Sequence, residues 1–588
     1  MTELKVNPEV EVSNWISAFN IAFKDRDKTA ICALFGEECY WRDLNAMTWS
    51  IVTIDGQDKI GSTMVVALQD MEVSPFKLDP SLLKPRTSTV AEIPCIEAAF
   101  RFDTVNGPGL GVLRLKYPSG EKEPAKAWTI STLLDMDRIR KLRNPTDDED
   151  GGHKVDFKQP SWPKLRAQEL EYTDREPDVL VVGGGHSGVS AAAELKQLGF
   201  DALIIDRHPR VGDNWRLRYD GLKLHNKYVV NHFRYMQFPQ VGPLYLPKDK
   251  VANWIEFYVD ALDLNFWTGS PLESAEYNKK TGRWSAVIGR PDGSMRTLTP
   301  KHIIMATSVS GTPNIPDLPT SESFSGPVIH SSNFGNGADW TGRSVLVIGS
   351  ATSAHDICQQ LHSHGAKATM VQRGPTLVMS VEPSSELYDG IYSGDGPPLE
   401  IRDLLNSSFP FPVTKQAHQV ITKKVKEIEA PLYAKLSAVG FQLDFGEDDT
   451  GWPFKFRNFG GGYYLNVGCS DLIADRVVGL IQANDIDHYE ATGPRMKDGT
   501  LLEFDAIVFA TGYKGHAYLI RQLFGDDVAD KVGPVWGIDE NYHELRNMWT
   551  KTGQPGLWFT GGAFSMSRIY SRFMALQIDA IESGRLEK

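Results

Sequence analysis

The chain has 588 residues, 41% of them hydrophobic, and a formal net charge of −13, which at ~150 residues per domain gives material for about three or four domains with cores of their own. The acidic balance, without any Lys/Arg block, argues against a general nucleic-acid binder, and no apolar run approaches the ~20 residues of a membrane span. The start, MTELKVNPEVEVSN, has no apolar signal core, and five scattered cysteines (Cys32, Cys39, Cys95, Cys358 and Cys469) without a C-x-x-C argue against a disulfide framework, a zinc site or a redox dithiol, and fit reduced thiols in a cytoplasm.

Residues 1–150 read as one unit. Ser13 is placed to cap a helix whose apolar face is Trp15, Phe19, Ala22 and Phe23. A second helix is expected over Lys28–Phe35. WSIVTIDGQDKIGSTMVVALQDM passes from a strand through a glycine turn into a helix, and three strand-like runs follow: STVAEIPCIEAAFRFDTV, LGVLRLKYPSG and KAWTISTLLDMD. Helices followed by a curled antiparallel sheet resemble the cone-shaped α+β fold of the SnoaL and nuclear-transport-factor-two group, in which CYWRDLNAMTW (Cys39–Trp49) would open the first strand. That resemblance makes Asp43 a conceivable base, but no His–Asp pair accompanies it, and a structural or interface role is preferred. The acidic run Asn144–Lys154 reads as a solvated linker, with the tether continuing over 151–176.

From Asp178 the pattern becomes strand, glycine turn, helix. The buried strand Val179–Val182 leads into Gly183-Gly184-Gly185-His186-Ser187-Gly188, and an Ala-rich helix is followed by a second strand, Ala202–Ile205, ending at Asp206. In G-x-G-x-x-G the first glycine (Gly183) permits the tight turn, the second (Gly185) admits a pyrophosphate to the backbone, and the third (Gly188) lets helix and sheet close up, while Ser187 lies in the first helical turn where N–H groups are free. Asp206 stands 23 residues after Gly183, where a carboxylate can accept from ribose hydroxyls. A helix over Val251–Leu262 and a β-rich stretch over Ala275–Ile304 follow. Near-repetition then appears at Arg343–Gly374, where Gly349-Ser350-Ala351-Thr352-Ser353-Ala354 forms a second cradle. Ala351 departs from the pattern at the central position. Arg373, 24 residues past Gly349, stands where the first unit has its acid; it is either a solvated surface arginine or a partner for a 2′-phosphate, which would favour NADPH over NADH. Two such folds imply two dinucleotides, usually FAD and NAD(P)H.

Between the cradles lies Phe324-x-Gly326-x-x-x-His330-x-x-x-Phe334. It resembles the F-x-G-x-x-x-H-x-x-x-aromatic signature of the class B flavoprotein monooxygenases, and the closing Phe favours the flavin-containing branch over the Baeyer–Villiger branch. Other stretches agree with the resemblance. RVGDNWRLRYDGLKLHNK (Arg210–Lys227) is similar to a flavin-contacting stretch and puts Trp215, Arg218 and His225 near the FAD, with Arg207 expected there just ahead of it. VFATGY (Val508–Tyr513) matches the A-T-G signature, with Ala510, Thr511 and Gly512, and returns the chain to the FAD domain. Its earlier counterpart has Ser308 where glycine is usual. GLWFTGGAFSMSRIYSRFMALQI (Gly556–Ile578) is similar to the closing strand, turn and helix. With the amino-terminal extension, the whole resembles the type II flavin-containing monooxygenases.

The resemblance implies an α/β chain with a cone domain (1–150), a linker (151–176), an FAD domain in two parts (177–335 and 481–588) and an NAD(P)H domain with a substrate-lining insert (336–480). It implies FAD and NADPH as cofactors, NADH as an alternative donor, and a flavin C4a-(hydro)peroxide that passes one oxygen atom of O₂ to a small organic substrate. By position, Asn226 is the active-site amide, His225 its neighbour, and His330 the signature histidine that influences NADPH handling. Both Baeyer–Villiger oxidation of ketones and N- or S-oxygenation stay open, with the Pro-, Tyr- and Phe-rich insert Glu382–Tyr464 as the place of substrate choice. The alternative is an NAD(P)H oxidase, or a two-dinucleotide reductase without oxygen insertion; the disulfide type lacks its cysteine pair here. Partners are expected to be the organic substrate and O₂, with a homodimer conceivable and no metal, nucleic acid or membrane.

Overall fold

A computed structural model describes residues 7–69, 71–117, 124–143, 160–308 and 311–587. The acidic run after Asn144 and the tether up to 159 lie outside them. Within the later part of the expected linker, Trp162–Glu169 is a helix, and Trp267 Nε1 donates to Leu170 O at its end.

The first dinucleotide module is a five-stranded parallel sheet ordered Asn265–Trp267, Ala202–Ile205, Val179–Val182, His302–Met305, Leu557–Phe559. Its central strands are continuous apolar runs, and every residue of Val179–Val182 and Ala202–Ile205 is buried, as expected for parallel strands covered on both faces. The helix His186–Gln197 presents Gly188, Ala191, Ala192 and Ala193, all buried. Small side chains let it lie close against the sheet and against the long carboxyl-terminal helix Phe564–Glu582. Leu272–Asn278, Arg283–Gly289 and Met295–Leu298 form a separate antiparallel sheet. The helix expected from Val251 begins earlier, at Lys248.

The second module is another five-stranded parallel sheet, ordered Val328–His330, Ala506–Phe509, Ser344–Ile348, Lys367–Gln372, Gly479–Gln482. Two of these strands lie outside the expected 336–480: the signature strand Val328–His330 and the strand leading into Ala510-Thr511-Gly512 both belong to this sheet. The chain returns to the first module only afterwards, where Thr312–Pro313 pairs with Tyr513–Lys514. The insert is mostly helical: a 3₁₀ turn over Ser385–Asp389, then helices Leu399–Ser407, Phe411–Ile428, Ala430–Ala438 and Trp452–Phe459.

The amino-terminal unit curls a sheet ordered Ile51–Asp55, Phe35–Leu44, Lys126–Leu134, Gly107–Lys116, Ile93–Thr104, Lys77–Leu78 around the helix Pro8–Lys24. That helix starts before Ser13: Asn7 accepts from the Glu9 and Val10 amides, the side-chain capping that an exposed helix start requires. The interior between helix and sheet is filled by aromatics. Phe19 stacks on Trp15 at 4.8 Å, and Phe76 stacks on Phe102 at 4.8 Å. The opposite face of the sheet is polar, and it packs on the rest of the chain. Arg42 there donates to both carboxylate oxygens of Glu544 at 2.7 Å, to Ser407 O and Phe409 O, and to Tyr570 Oη.

Candidate flavin and nicotinamide site

The two cradles are built alike. Gly183 has φ 109, and a Cβ on it would sit 2.6 Å from Ala306 O; Gly349 has φ 129, and a Cβ on it would sit 2.3 Å from Ala510 O. Each glycine therefore turns under the end of the neighbouring strand, at a place only glycine can occupy. This explains the paired sequences Ala306-Thr307-Ser308 and Ala510-Thr511-Gly512: they are the shelves against which the glycines close. Gly512 has φ 77 and Ser308 φ 66, so the serine adopts a left-handed conformation that costs a side-chain-bearing residue roughly 1–2 kcal/mol. Gly188 closes the first turn, since a Cβ there would lie 1.9 Å from Gly183 O. Gly185, which precedes the helix, would meet only the side chain of Asn214.

Around the first cradle the buried polar atoms Asn214 Oδ1, Trp215 Nε1 and Thr307 Oγ1 lack a hydrogen-bond partner, and so does Arg218 Nε at the seam beside Tyr219. Buried donors and acceptors are seldom left unpaired, and this mixture is what a dinucleotide with phosphates, ribose hydroxyls and ring carbonyls would satisfy. The residues fit FAD. His186 packs beside them, stacked on Phe564 at 4.1 Å; burial holds its pKa down to about 4, so the ring is neutral, and Nε2 lies 2.8 Å from Gly562 O. Ser187 Oγ is 2.7 Å from Ser567 Oγ. Asp206 accepts from the Gly184 amide at 2.7 Å and from the His208 amide and ring. Burial raises its carboxyl, but hydrogen bonds from His208 and Gly184 outweigh this and leave the pKa below the ordinary value. Arg207 is exposed and, among the described residues, donates to Gly311 O at 3.4 Å.

In the second cradle Ser350 Oγ is held 2.7 Å from Thr376 Oγ1 and Thr352 Oγ1 donates to Tyr463 O. These hydroxyls fix the turn, and the free amides of the helix Thr352–Ser363, which includes Ser353, remain as the anion-facing groups. Arg373 is exposed immediately after the strand Lys367–Gln372 and forms no ion pair among the described residues.

A cleft of about 520 Å³ opens between the modules, lined among others by Gly221, His225, Asp356, Gln360 and Glu382. Asp356 comes from the second cradle's helix and accepts from Tyr219 Oη at 2.6 Å. Burial raises its pKa against the opposing pull of His225, while burial lowers that of His225 against the opposing pull of Asp356. Asn226, next to His225 on the strand Lys223–Lys227, points its Nδ2 at Asp389 of the insert, 2.9 Å and 3.2 Å from the two carboxylate oxygens.

His330 is buried at the seam. Its Nδ1 accepts from the Ser332 amide at 3.1 Å, so Nε2 carries the proton and donates to Gly512 O at 3.0 Å. Burial lowers its pKa. Phe334 stacks on Trp340 with rings 4° apart, Phe324 packs in the core beside Leu346 and Phe509, and a Cβ on Gly326 would meet Asp505 O at 2.6 Å. The signature's residues thus join the linking strand to the second sheet and tie its end to the Gly512 turn.

Asp43 is fully buried and saturated by the Met47 and Thr48 amides and the Thr48 and Thr132 hydroxyls; it is a loop anchor. Sequence reasoning missed Asp356, Asp389 and the unpartnered Asn214 and Thr307. Only Thr307 carried a signal, the repeated Ala-Thr after each module's strand. The cysteines are all free, four of them buried. Among the described residues no helix is long and apolar enough to cross a membrane, and no cluster of His, Cys, Asp and Glu is arranged to hold a metal.

The profile of the pyridine nucleotide-disulphide oxidoreductases matches residues 180–389. The indole-3-pyruvate monooxygenase YUCCA1 of Oryza sativa subsp. japonica is 28% identical over 342 residues, 58% of this chain and 77% of the rice protein. The probable indole-3-pyruvate monooxygenase YUCCA4 of Arabidopsis thaliana is 26% identical over 388 residues, 66% and 82% of the two chains. Among solved structures, OTEMO in complex with FAD and NADP superposes with a TM-score of 0.51 at 16% identity over 70% of this chain and 87% of its own. An open cyclohexanone monooxygenase gives 0.50 at 18% over 70% and 88%; at such identities the likeness speaks for the fold. Paired cradles, a signature strand between them and relatives of this kind support a class B flavin-dependent monooxygenase, an oxidoreductase similar to these proteins.

Proposed function

We propose that the chain takes two electrons from NADPH onto bound FAD and, with O₂, places one oxygen atom in a small organic substrate while the other leaves as water. The observation that carries this is one cleft in which the second cradle's helix (Asp356, Gln360) meets the Gly221–His225 stretch of the flavin module, with unpartnered buried polar atoms around the first cradle. Bound there, the flavin supplies hydride acceptance and the activation of oxygen. The chain's own part is holding and sealing. Gly183, Gly185, Gly188 and the first amides of the helix from His186 take the FAD pyrophosphate. Asp206 takes the ribose hydroxyls, and Trp215 and Arg218 turn donors toward the remainder. Gly349 and the first amides of the helix from Thr352 take the second pyrophosphate, and Arg373 takes a 2′-phosphate, which selects NADPH over NADH. The neutral His330 holds the Gly512 carbonyl so that the shelf beneath the second cradle stays formed. The helical insert from Glu382 to Tyr464 walls the substrate side and excludes water.

The substrate class spans ketones and soft nitrogen or sulfur compounds. The purified enzyme, given NADPH, isotopically labelled O₂ and a panel of ketones, sulfides and amines, is expected to place labelled oxygen in one product class in proportion to NADPH consumed. If all consumed O₂ returns as hydrogen peroxide whatever the substrate, the chain is an NAD(P)H oxidase and the proposal fails.

A further inference from the structure

The strand Lys223–Lys227 is fastened to the insert's turn Ser385–Asp389 by two adjacent contacts. Lys227 Nζ lies 2.8 Å from Glu386 Oε1, and Asn226 Nδ2 faces both oxygens of Asp389. An ionised carboxylate only accepts hydrogen bonds, whereas a side-chain amide has one accepting and one donating end. The contact therefore decides which end of Asn226 is engaged.

We propose that Asp389 is a positioning residue that fixes the amide of Asn226 with its donating end turned to the insert and its accepting end left free. This rests on the oxygenase reading above and on the resemblance that makes Asn226 the active-site amide. A free Oδ1 can take a proton-bearing group or a water but cannot donate, so the amide's character in the chamber is set by a residue of the insert, not of the flavin module. The surroundings make the arrangement sensitive to pH. Burial pushes the Asp389 carboxyl up to about 6, helped by the negative charge of Glu386 and opposed by the Asn226 hydrogen bond and by Lys227. The helix Phe411–Ile428, packed on this turn, presents His418 to Tyr388, and burial keeps that histidine neutral. Tyr245 gives its hydroxyl to Glu386 and Glu382. Lys227 and Glu386 are thus the charges that act on Asp389, and they are paired with each other. Once protonated, Asp389 can donate to Asn226 Oδ1, and the amide can turn over.

The folded chain holds this proton to higher pH than the unfolded chain, so stability from this group is greatest below the ordinary carboxyl range and is lost as pH rises through about 6. The experiment uses the full-length chain, wild type, Asp389→Asn and Asp389→Leu. Two quantities are followed from about pH 5 to about pH 8, on either side of the folded pKa: the rate of hydrogen peroxide release from the FAD-loaded enzyme given only NADPH and O₂, and the melting temperature of the same proteins stripped of FAD. The wild-type peroxide rate is expected to change at least about threefold across this range. Asp389→Asn, which keeps the shape and an accepting oxygen but cannot titrate, is expected to be flat, and Asp389→Leu to leak faster at every pH. In the stripped proteins the melting temperature of Asp389→Asn is expected to gain on wild type as pH rises. A wild-type pH response retained by Asp389→Asn, or a melting difference constant with pH, overturns the inference. Failure of the wild type to oxygenate any substrate would overturn the function reading instead, and the melting difference would still decide the fate of Asp389.

Discussion

At the scale of single residues, the two cradles can be separated experimentally because each depends on one glycine pressed beneath its own shelf. In Gly349→Ala the new methyl would lie 2.3 Å from Ala510 O at φ 129, so the second turn must open. The purified variant is expected to remain yellow with bound FAD while its reduction by NADPH slows by at least about a hundredfold, the loss expected when several charge-assisted contacts fail together. Stopped-flow flavin bleaching checks this, and a colourless preparation would mean that the cradles are not independent. Arg373 makes a finer distinction. It is exposed, with nothing of its own to hold, so Arg373→Ala should leave stability unchanged. A hydrogen-bonded charge pair is worth about 1.5–3 kcal/mol, so the KM for NADPH should rise roughly tenfold to a hundredfold while that for NADH stays put. Equal effects on both nucleotides would show that the guanidinium is a solvated surface group.

Elements differ in how far sequence reveals them, and the reason is where their determinants lie. Val179–Val182 and Ala202–Ile205 are found at their sequence-read bounds, because a buried parallel strand bordered by glycine is specified within a few residues. The strand Ala506–Phe509 is equally apolar, yet sequence placed it in the wrong module: its sheet is chosen by pairing with Val328–His330 and Ser344–Ile348, residues far away along the chain. The insert looked like turn and aromatic pocket but folds as helices whose apolar faces are spread through Pro-broken segments. At the site, the turn glycines were legible because what they must do is local in backbone terms. Asp356 and Asp389 were not, since nothing near them in sequence announces Tyr219 or Asn226 as partners. Asp43, for which the sequence favours a structural role, has that role in the four donors around its carboxylate. Asp43→Ala is expected to cost about 1–3 kcal/mol by stranding those donors, measured by denaturant unfolding, with turnover per bound FAD unchanged. A selective loss of turnover would restore it to the chemistry.

For the whole molecule, the amino-terminal unit is not an appendage, because its polar sheet face is buried against both the insert and the carboxyl-terminal helix. Arg42 is the centre of that contact. It is 1% exposed, pairs with Glu544 through two bonds, and caps the carbonyls of Ser407 and Phe409 at the corner between two insert helices. Four residues before that corner, Asp403 pairs with Arg568 of the carboxyl-terminal helix, which in turn donates to Val230 O and His232 O. Around the rim, Asn45 donates to Phe573 O, Arg114 lies 3.7 Å over the ring of Phe409, and Arg143 pairs with Asp579. Removing one member of a buried ion pair leaves the other charged and dry, a loss of about 3–5 kcal/mol, whereas replacing both by neutral groups of similar volume often restores stability. Arg42→Met should therefore melt well below wild type, and Arg42→Met with Glu544→Gln should recover a large part of the difference. Deleting residues 1–150 would uncover Phe409, Tyr570 and Phe573 together and strand Glu544, so the shortened chain is expected to aggregate rather than survive as a working two-cradle enzyme. A soluble, yellow, NADPH-oxidising remnant with wild-type melting behaviour would mean that the unit is a detachable module and that the Arg42 contact contributes nothing to the fold beneath it.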